Sequence, residues 1–312
     1  MKRNEYIDVV KGGLIVLVVF GHYLENLVGW NTEIGYLILS CIYAFHMPLF
    51  VFFTGLFVNK AKSTEKAFYF FKLFFVFQVI YYILYFIIFQ KLFRNAIEPV
   101  GHLWYLMSLS IWLLLTPIFY KLKHAFALSL LISLLSGFLW FDGKILSISR
   151  TLVFLPFFVL GLKHGTDLLR EFSKYKKQCA YFSIFGVILF IGFILNYFPD
   201  KKWFFGYVFF KDLDVGLDGI VFRSVMLIVA IPLSILFLLI VERATLFKSF
   251  GENTLPIYLL HVVFCWFFGV LIDIENSLIG VLVCCLLTIP TVIMLSNHRL
   301  NTFIRDIPKY IK

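Results

Sequence analysis

Apolar runs of about 20 residues, separated by short charged or turn-rich segments, dominate this chain. A helix rising ~1.5 Å per residue needs about 20 such residues to cross the ~30 Å hydrocarbon layer of a bilayer. Breaks at charges and turn residues predict ten spans, near 8–28, 34–58, 68–90, 101–120, 125–140, 150–165, 179–198, 220–241, 254–271 and 278–296. The fifth and sixth are short, which leaves open an eight-helix arrangement with a re-entrant pair. The expected fold is all-α: a polytopic transmembrane bundle of about ten helices forming a single membrane-embedded domain over residues 1–312. The first run is longer than a signal-peptide core, lacks a small-residue cleavage site and contains Lys11. It is expected to be retained, with no soluble domain before it.

With 61% hydrophobic and 15% charged residues, composition excludes an ordinary soluble enzyme. The net charge of +10 invites an anionic partner, but its placement points first to topology. With a cytoplasmic N-terminus, 20 of the 28 Lys and Arg fall on inner tails, loops and helix ends, from Lys2, Arg3 and Lys11 to Arg305, Lys309 and Lys312. The remaining eight, among them Arg94, Lys144, Arg150, Lys201 and Arg223, fall outside. The positive-inside rule therefore puts both termini in the cytoplasm. Cys41, Cys179, Cys265, Cys284 and Cys285 lie in apolar runs without metal-site spacing and read as small core hydrophobes. The connection from Pro199 to Gly219 is rich in aromatics and charges, as expected of a segment lying among lipid headgroups; the alternative is a cover over an outward pocket.

Ionisable residues inside the apolar runs change the picture, because each is costly in hydrocarbon and tends to face a polar cavity. On the first helix, Asn4, Asp8, Lys11, Ile15, Val18, His22 and Glu25 project onto one face about 100° wide. Asp8 and Lys11 are spaced to pair, as are His22 and Glu25. Lys11 and His22 lie ~16 Å apart along the helix, so they must serve different parts of one substrate, or two substrates.

Further histidines sit beside helix-loosening residues. In Phe45-His46-Met47-Pro48-Leu49-Phe50, Pro48 frees the carbonyl of Ala44 one turn from His46. In the segment from Gly251 to His261, Asn253 is placed to cap a helix with Pro256 in its first turn, and that N-terminus would suit a phosphate. His102 would begin a helix at the outer surface. Counting from the expected faces puts His46 and His261 in the inner half and His22 and His102 in the outer half, two levels along one route. His124, His164 and His298 fall in inner loops.

No two histidines have the i, i+3 or i, i+4 spacing of a helical metal site, so no metal is expected, and no nucleotide or redox motif is found. Imidazole offers a base near neutral pH, able to take a proton from a hydroxyl that cannot attack unaided.

At these residues the chain resembles the acyltransferase-3 family of integral-membrane acyltransferases, especially its fucose 4-O-acetylase-like branch. The resemblance rests on Lys11 and His22 separated by ten residues, the block from Phe45 to Phe50 followed by Phe53-Thr54-Gly55-Leu56-Phe57, His102-Leu103-Trp104-Tyr105-Leu106, and Gly251 to His261. The family's basic pair after the second helix is matched by Lys66 and Lys72 in place of arginines. No extracytoplasmic esterase-like domain is expected after the last helix.

The resemblance implies an O-acyltransferase in a bacterial cell membrane. It would use acetyl-CoA, or another acyl-CoA, as donor, with no permanently bound cofactor. The acceptor would be a hydroxyl of a cell-surface polysaccharide or its lipid-linked precursor; nucleic acid is not expected as a partner. His22, Glu25, His46 and His261 would be the catalytic set, with His22 as base or as transient acyl acceptor and Glu25 orienting it. Lys11, Lys72 and Asn253 would hold the donor, and His102, Trp104, Tyr105 and Tyr258 the substrate. A transporter or flippase for a lipid-linked sugar is the rival, though no repeated halves are visible. A purely structural role would leave the buried histidines without a purpose.

Overall fold

The computed structural model describes residues 5–92, 95, 97–140 and 143–311. Lys2, Arg3, Asn4, Arg94 and Lys312, used in the charge and helix-face expectations, lie outside the described residues. The helices in chain order are α1 (Glu5–Leu27), α2 (Glu33–Leu56), α3 (Ser63–Phe89), α4 (Trp104–Lys121), α5 (Ala125–Leu135), α6 (Ile148–Val153) and α7 (Leu155–Lys174). They continue as α8 (Lys176–Tyr197), α9 (Lys202–Phe205), α10 (Asp218–Val241), α11 (Lys248–Glu252), α12 (Thr254–Leu271), α13 (Ser277–Leu295) and α14 (His298–Asp306). No strand occurs among the described residues, and the chain is a polytopic helical bundle.

Eight helices among the described residues are long and apolar enough to cross a membrane, or nine if one bent pair counts as a single span. The ten expected spans are thus too many. The fifth run forms only the 11 residues of α5 and a 3-10 turn to Phe138, and 11 residues reach ~16 Å. The sixth is broken: Ile145–Val153 and Leu155–Lys174 meet at a 51° bend. Pro156 favours a fresh helix start at α7, and Leu146 and Ser147 adopt left-handed backbone just before α6.

Burial sorts the helices into a centre and a wall. Two-thirds (67%) of the apolar window is buried in α1, in α2 and in Gly101–Lys121, against 17% in Lys176–Tyr197. Phe75, Val79 and Ile83 of α3, Phe185 and Ile188 of α8, and Leu282 and Leu286 of α13 are exposed, forming the surface that lipid must cover. Cys285 belongs to that outer surface, whereas Cys265 and Cys284 are buried, so the expectation of five core cysteines fails for Cys285.

Two backbone-to-backbone contacts set the register of the centre. A Cβ on Gly12 would come within 1.9 Å of the Phe247 carbonyl oxygen, and one on Gly251 within 1.7 Å of that of Asp8, so α1 and α11 touch through glycines. Between α2 and α7, Gly55 meets the Phe158 carbonyl and Gly161 that of Phe52 in the same way. Small residues allow such approach and maximise van der Waals contact where lipid supplies no hydrophobic drive.

The ion pair of Glu5 with Lys248 and the bond from Lys72 Nζ to the Ile311 carbonyl gather the start of α1, α11 and the end of the described chain at one end of the bundle. This is the basic end, the one that the positive-inside pattern leads one to expect on the cytoplasmic side. At the distal end, Tyr36 Oη donates to the Pro199 carbonyl (2.9 Å) and Arg150 Nε to that of Phe205 (3.0 Å). The connection from Pro199 to Gly219 does not simply lie in the headgroups: Phe204, Phe209 and Phe210 are buried, because their rings pack into the distal end.

At the basic end α14 docks through amides. Asn253 Nδ2 donates to the Ser249 carbonyl (3.0 Å), and Asn301 Nδ2 donates to Asn253 Oδ1 (3.1 Å) and to the Glu252 carbonyl (3.2 Å). Asn253 therefore makes no side-chain cap on α12, contrary to expectation; its amide is spent on α11 and α14.

Asn253→Ala should lower stability by about 1–3 kcal/mol, the cost of leaving a buried partner unpaired, read as earlier thermal unfolding in detergent. Gly161→Val should be more severe, since its Cβ meets backbone that cannot give way. Little or no monodisperse protein is expected on size exclusion.

Candidate active site

One cavity of about 990 Å³ runs through the centre of the bundle. At the basic end Lys11, Glu65, Lys66, Thr254 and Arg305 line it; at the distal end Glu25, Arg150, Lys201, Phe205 and Tyr207 do. The face expected on α1 is the face that lines it: Lys11, Ile15, Val18, His22 and Glu25 all contribute. Asp8, assigned to the same face, is buried behind the lining, its backbone against Gly251. Lys11 reaches over the Phe57 ring, 4.9 Å from its centroid.

His22 is oriented by its neighbours. Tyr43 Oη donates to Glu25 Oε2 (2.7 Å), and His22 Nδ1 lies 3.3 Å from Tyr43 Oη and 3.6 Å from Glu25 Oε2. Trp30 Nε1 donates to the other carboxylate oxygen (3.4 Å). With the tyrosine proton directed at Glu25, the partner of both acceptors is a proton on His22 Nδ1. That tautomer leaves Nε2 as the basic nitrogen. His22 keeps 23% side-chain exposure, enough to meet a molecule in the cavity.

Three imidazoles from three segments form one cluster: ring centroids are 5.3 Å apart for His22 and His261, 6.0 Å for His22 and His102, and 4.7 Å for His102 and His261. The expected two levels are therefore wrong for His261. Because Gly251 abuts α1 beside Gly12, α12 starts level with the second turn of α1. Ten residues from Gly12 to His22 and ten from Gly251 to His261 then climb to the same height. His46 lines the cavity near Tyr43, with rings 5.0 Å apart, and its Nδ1 donates to the Ile42 carbonyl (2.8 Å).

His261 is fully buried and does not line the cavity; its Nδ1 donates to the Ile257 carbonyl (2.9 Å). His102 Nε2 lies 3.0 Å from Tyr81 Oη, whose proton goes to the Leu259 carbonyl. His261 Nε2 and His102 Nδ1 remain buried with no partner among the described residues. Tyr258 Oη donates to the His102 carbonyl and Tyr105 Oη bonds Thr54 Oγ1, so two expected substrate residues hold the cluster's frame while also lining the cavity. Trp104 lines it as well, stacked on Phe154 at 5.4 Å.

Two expected donor residues lie elsewhere. Lys72 Nζ is held by the Ile311 carbonyl and Asn253 by α14; neither lines the cavity. Their places at the basic mouth are taken by Lys66, Thr254 and Arg305. Arg305, Arg150 and Tyr43 carried no local signal: Arg305 follows the last span, Arg150 belongs to a broken one, and Tyr43 is one aromatic in an apolar run. Among the described residues no group of His, Cys, Asp and Glu is arranged to hold a metal ion.

A family model described as an acyltransferase domain, that of the acyltransferase-3 family, matches residues 4–297. Over 55 residues the chain is 46% identical to nodulation protein NolL of Sinorhizobium fredii (strain NBRC 101917 / NGR234). That stretch covers 17% of this chain and 15% of that protein. No solved structure matches. With a family model spanning nearly its whole length, the chain belongs to the acyltransferase-3 family, and its long apolar helices are those of a multi-pass membrane protein.

Proposed function

We propose that this acyltransferase is an O-acetyltransferase of the fucose 4-O-acetylase-like branch in a bacterial cell membrane. It moves acetyl from acetyl-CoA to a sugar hydroxyl of a cell-surface polysaccharide or its lipid-linked precursor. The observation that carries this reading is His22: a base with Nδ1 held by Tyr43 and Glu25, inside a cavity with a basic mouth at one end and an aromatic one at the other.

Lys11, Lys66 and Arg305 attract the phosphates of the donor at the basic mouth, and the acyl arm extends along the cavity towards the imidazoles. The sugar enters from the aromatic end. His22 Nε2 takes the hydroxyl proton as the oxygen bonds to the thioester carbonyl carbon. The C–S bond breaks, and coenzyme A leaves as its thiol after recovering that proton from the imidazolium. Glu25 stabilises the imidazolium in between, and Tyr43 keeps carboxylate and ring in register. His46, one turn closer to the basic mouth, stands where the thioester passes.

Transfer of radiolabel from acetyl-CoA to glycan by the purified protein tests the reading. His22→Ala should reduce transfer at least about 100-fold, the span of a lost general base, while membrane insertion and thermal stability stay near those of the parent. Transfer by His22→Ala at close to the parent rate excludes the proposed role.

A further inference from the structure

The distal end holds two arginines with opposite fates. Arg223 makes three hydrogen bonds through its Nη atoms: Nη1 donates to the Ser133 carbonyl (3.0 Å) and Ser136 Oγ (2.9 Å), and Nη2 to the Val208 carbonyl (3.1 Å). Arg150 is clamped but not satisfied. Its Nε donates to the Phe205 carbonyl (3.0 Å), and its guanidinium lies 4.9 Å from the Trp104 centroid and 5.1 Å from that of Tyr207. Among the described residues its Nη atoms have no acceptor and no carboxylate within ion-pair distance, and the side chain lines the cavity. Glu25, on the same wall, already accepts from Tyr43 and Trp30.

The carboxylates of Glu25 and Glu98 act on Arg150 only from beyond ion-pair distance, and a half-buried cation without a direct anionic partner is costly unless an anion is supplied from elsewhere. A guanidinium held by its Nε bond and two neighbouring aromatic rings, with Nη groups that make no hydrogen bond among the described residues, can offer paired donors to the two oxygens of a carboxylate or phosphate. Lys201 adds a second positive charge to the same end of the cavity. The wall continues from Tyr207 to Phe205 (5.6 Å), Tyr43 (5.6 Å) and His22 (6.2 Å), so an anion on Arg150 sits on a continuous surface leading to the imidazoles.

We infer that the acceptor is an anionic glycan, and that Arg150 binds its oxyanion, a carboxylate or a phosphate, near the hydroxyl that is acylated. This deepens the proposed acyl transfer to sugar and rests on it.

The detergent-purified full chain is titrated with glucose, glucuronate and glucose 1-phosphate, following tryptophan fluorescence, to which Trp104 beside Arg150 contributes. At least one anionic probe should bind about tenfold more tightly than glucose, the size of one charge-assisted contact, and the preference should shrink with added salt. Preference for glucuronate identifies an acidic sugar as the source of the anion; preference for glucose 1-phosphate identifies a phosphate-linked one. Arg150→Gln should abolish the preference and Arg150→Lys should retain part of it, so a misfolded glutamine variant does not end the test. Equal binding of all three probes, binding of none of them, or a preference that survives Arg150→Gln overturns the inference. Label transfer is measured on the same preparation. Transfer absent with the anion preference intact sinks the acetyltransferase reading alone; indifference to anions with transfer intact sinks the role of Arg150 alone.

Discussion

The close approach of α1 to α11, possible only because Gly12 and Gly251 lack side chains, is the constraint on which the site depends. It lifts the start of α12 alongside the second turn of α1 and brings His261 level with His22. Any larger residue at either glycine would drive the two backbones apart. The equivalent contact between Gly55 and Gly161 ties α2 to α7, so the wall bearing Tyr43 and His46 is set by the same device.

Around that frame the polar groups divide between support and exposure. Tyr81, Tyr105 and Tyr258 spend their hydroxyls on Leu259, Thr54 and His102, and these bonds hold the imidazole cluster. Glu25 and Tyr43 are spent on His22. What stays available is His22 in the middle of the cavity, Lys66 and Arg305 at its basic mouth and the Nη groups of Arg150 at its distal one. Such a distribution suits a reaction between two substrates arriving from opposite ends, because binding energy at either mouth positions a group at the centre without competing with the base there.

The α1 face was legible in the sequence because helical period alone decides it: Lys11, Ile15, Val18, His22 and Glu25 share one helix, and no neighbour can alter their spacing. The long spans were legible for the same local reason. Heights between helices were not. Counting from the membrane faces assumes that every helix starts at its edge, whereas α12 starts beside the second turn of α1. Lys72 and Asn253 had the right chemistry, but the end of the chain and α14 claim them, and no local pattern announces a contact with residues some 50 to 240 positions away. The short fifth and sixth runs were ambiguous by length, and the left-handed backbone at Leu146 and Ser147 resolves them into a broken pair.

The tautomer and neighbourhood of His22 test the central claim most directly. Solid-state NMR of the full chain in lipid with ¹⁵N,¹³C-labelled histidine, assigned by comparison with His22→Gln, reads both. Hydrogen bonding to Tyr43 and Glu25 predicts a His22 ring protonated at Nδ1 with a bare Nε2, and dipolar contact with the His261 ring 5.3 Å away. A His22 protonated at Nε2, or one without contact to His261, would contradict it.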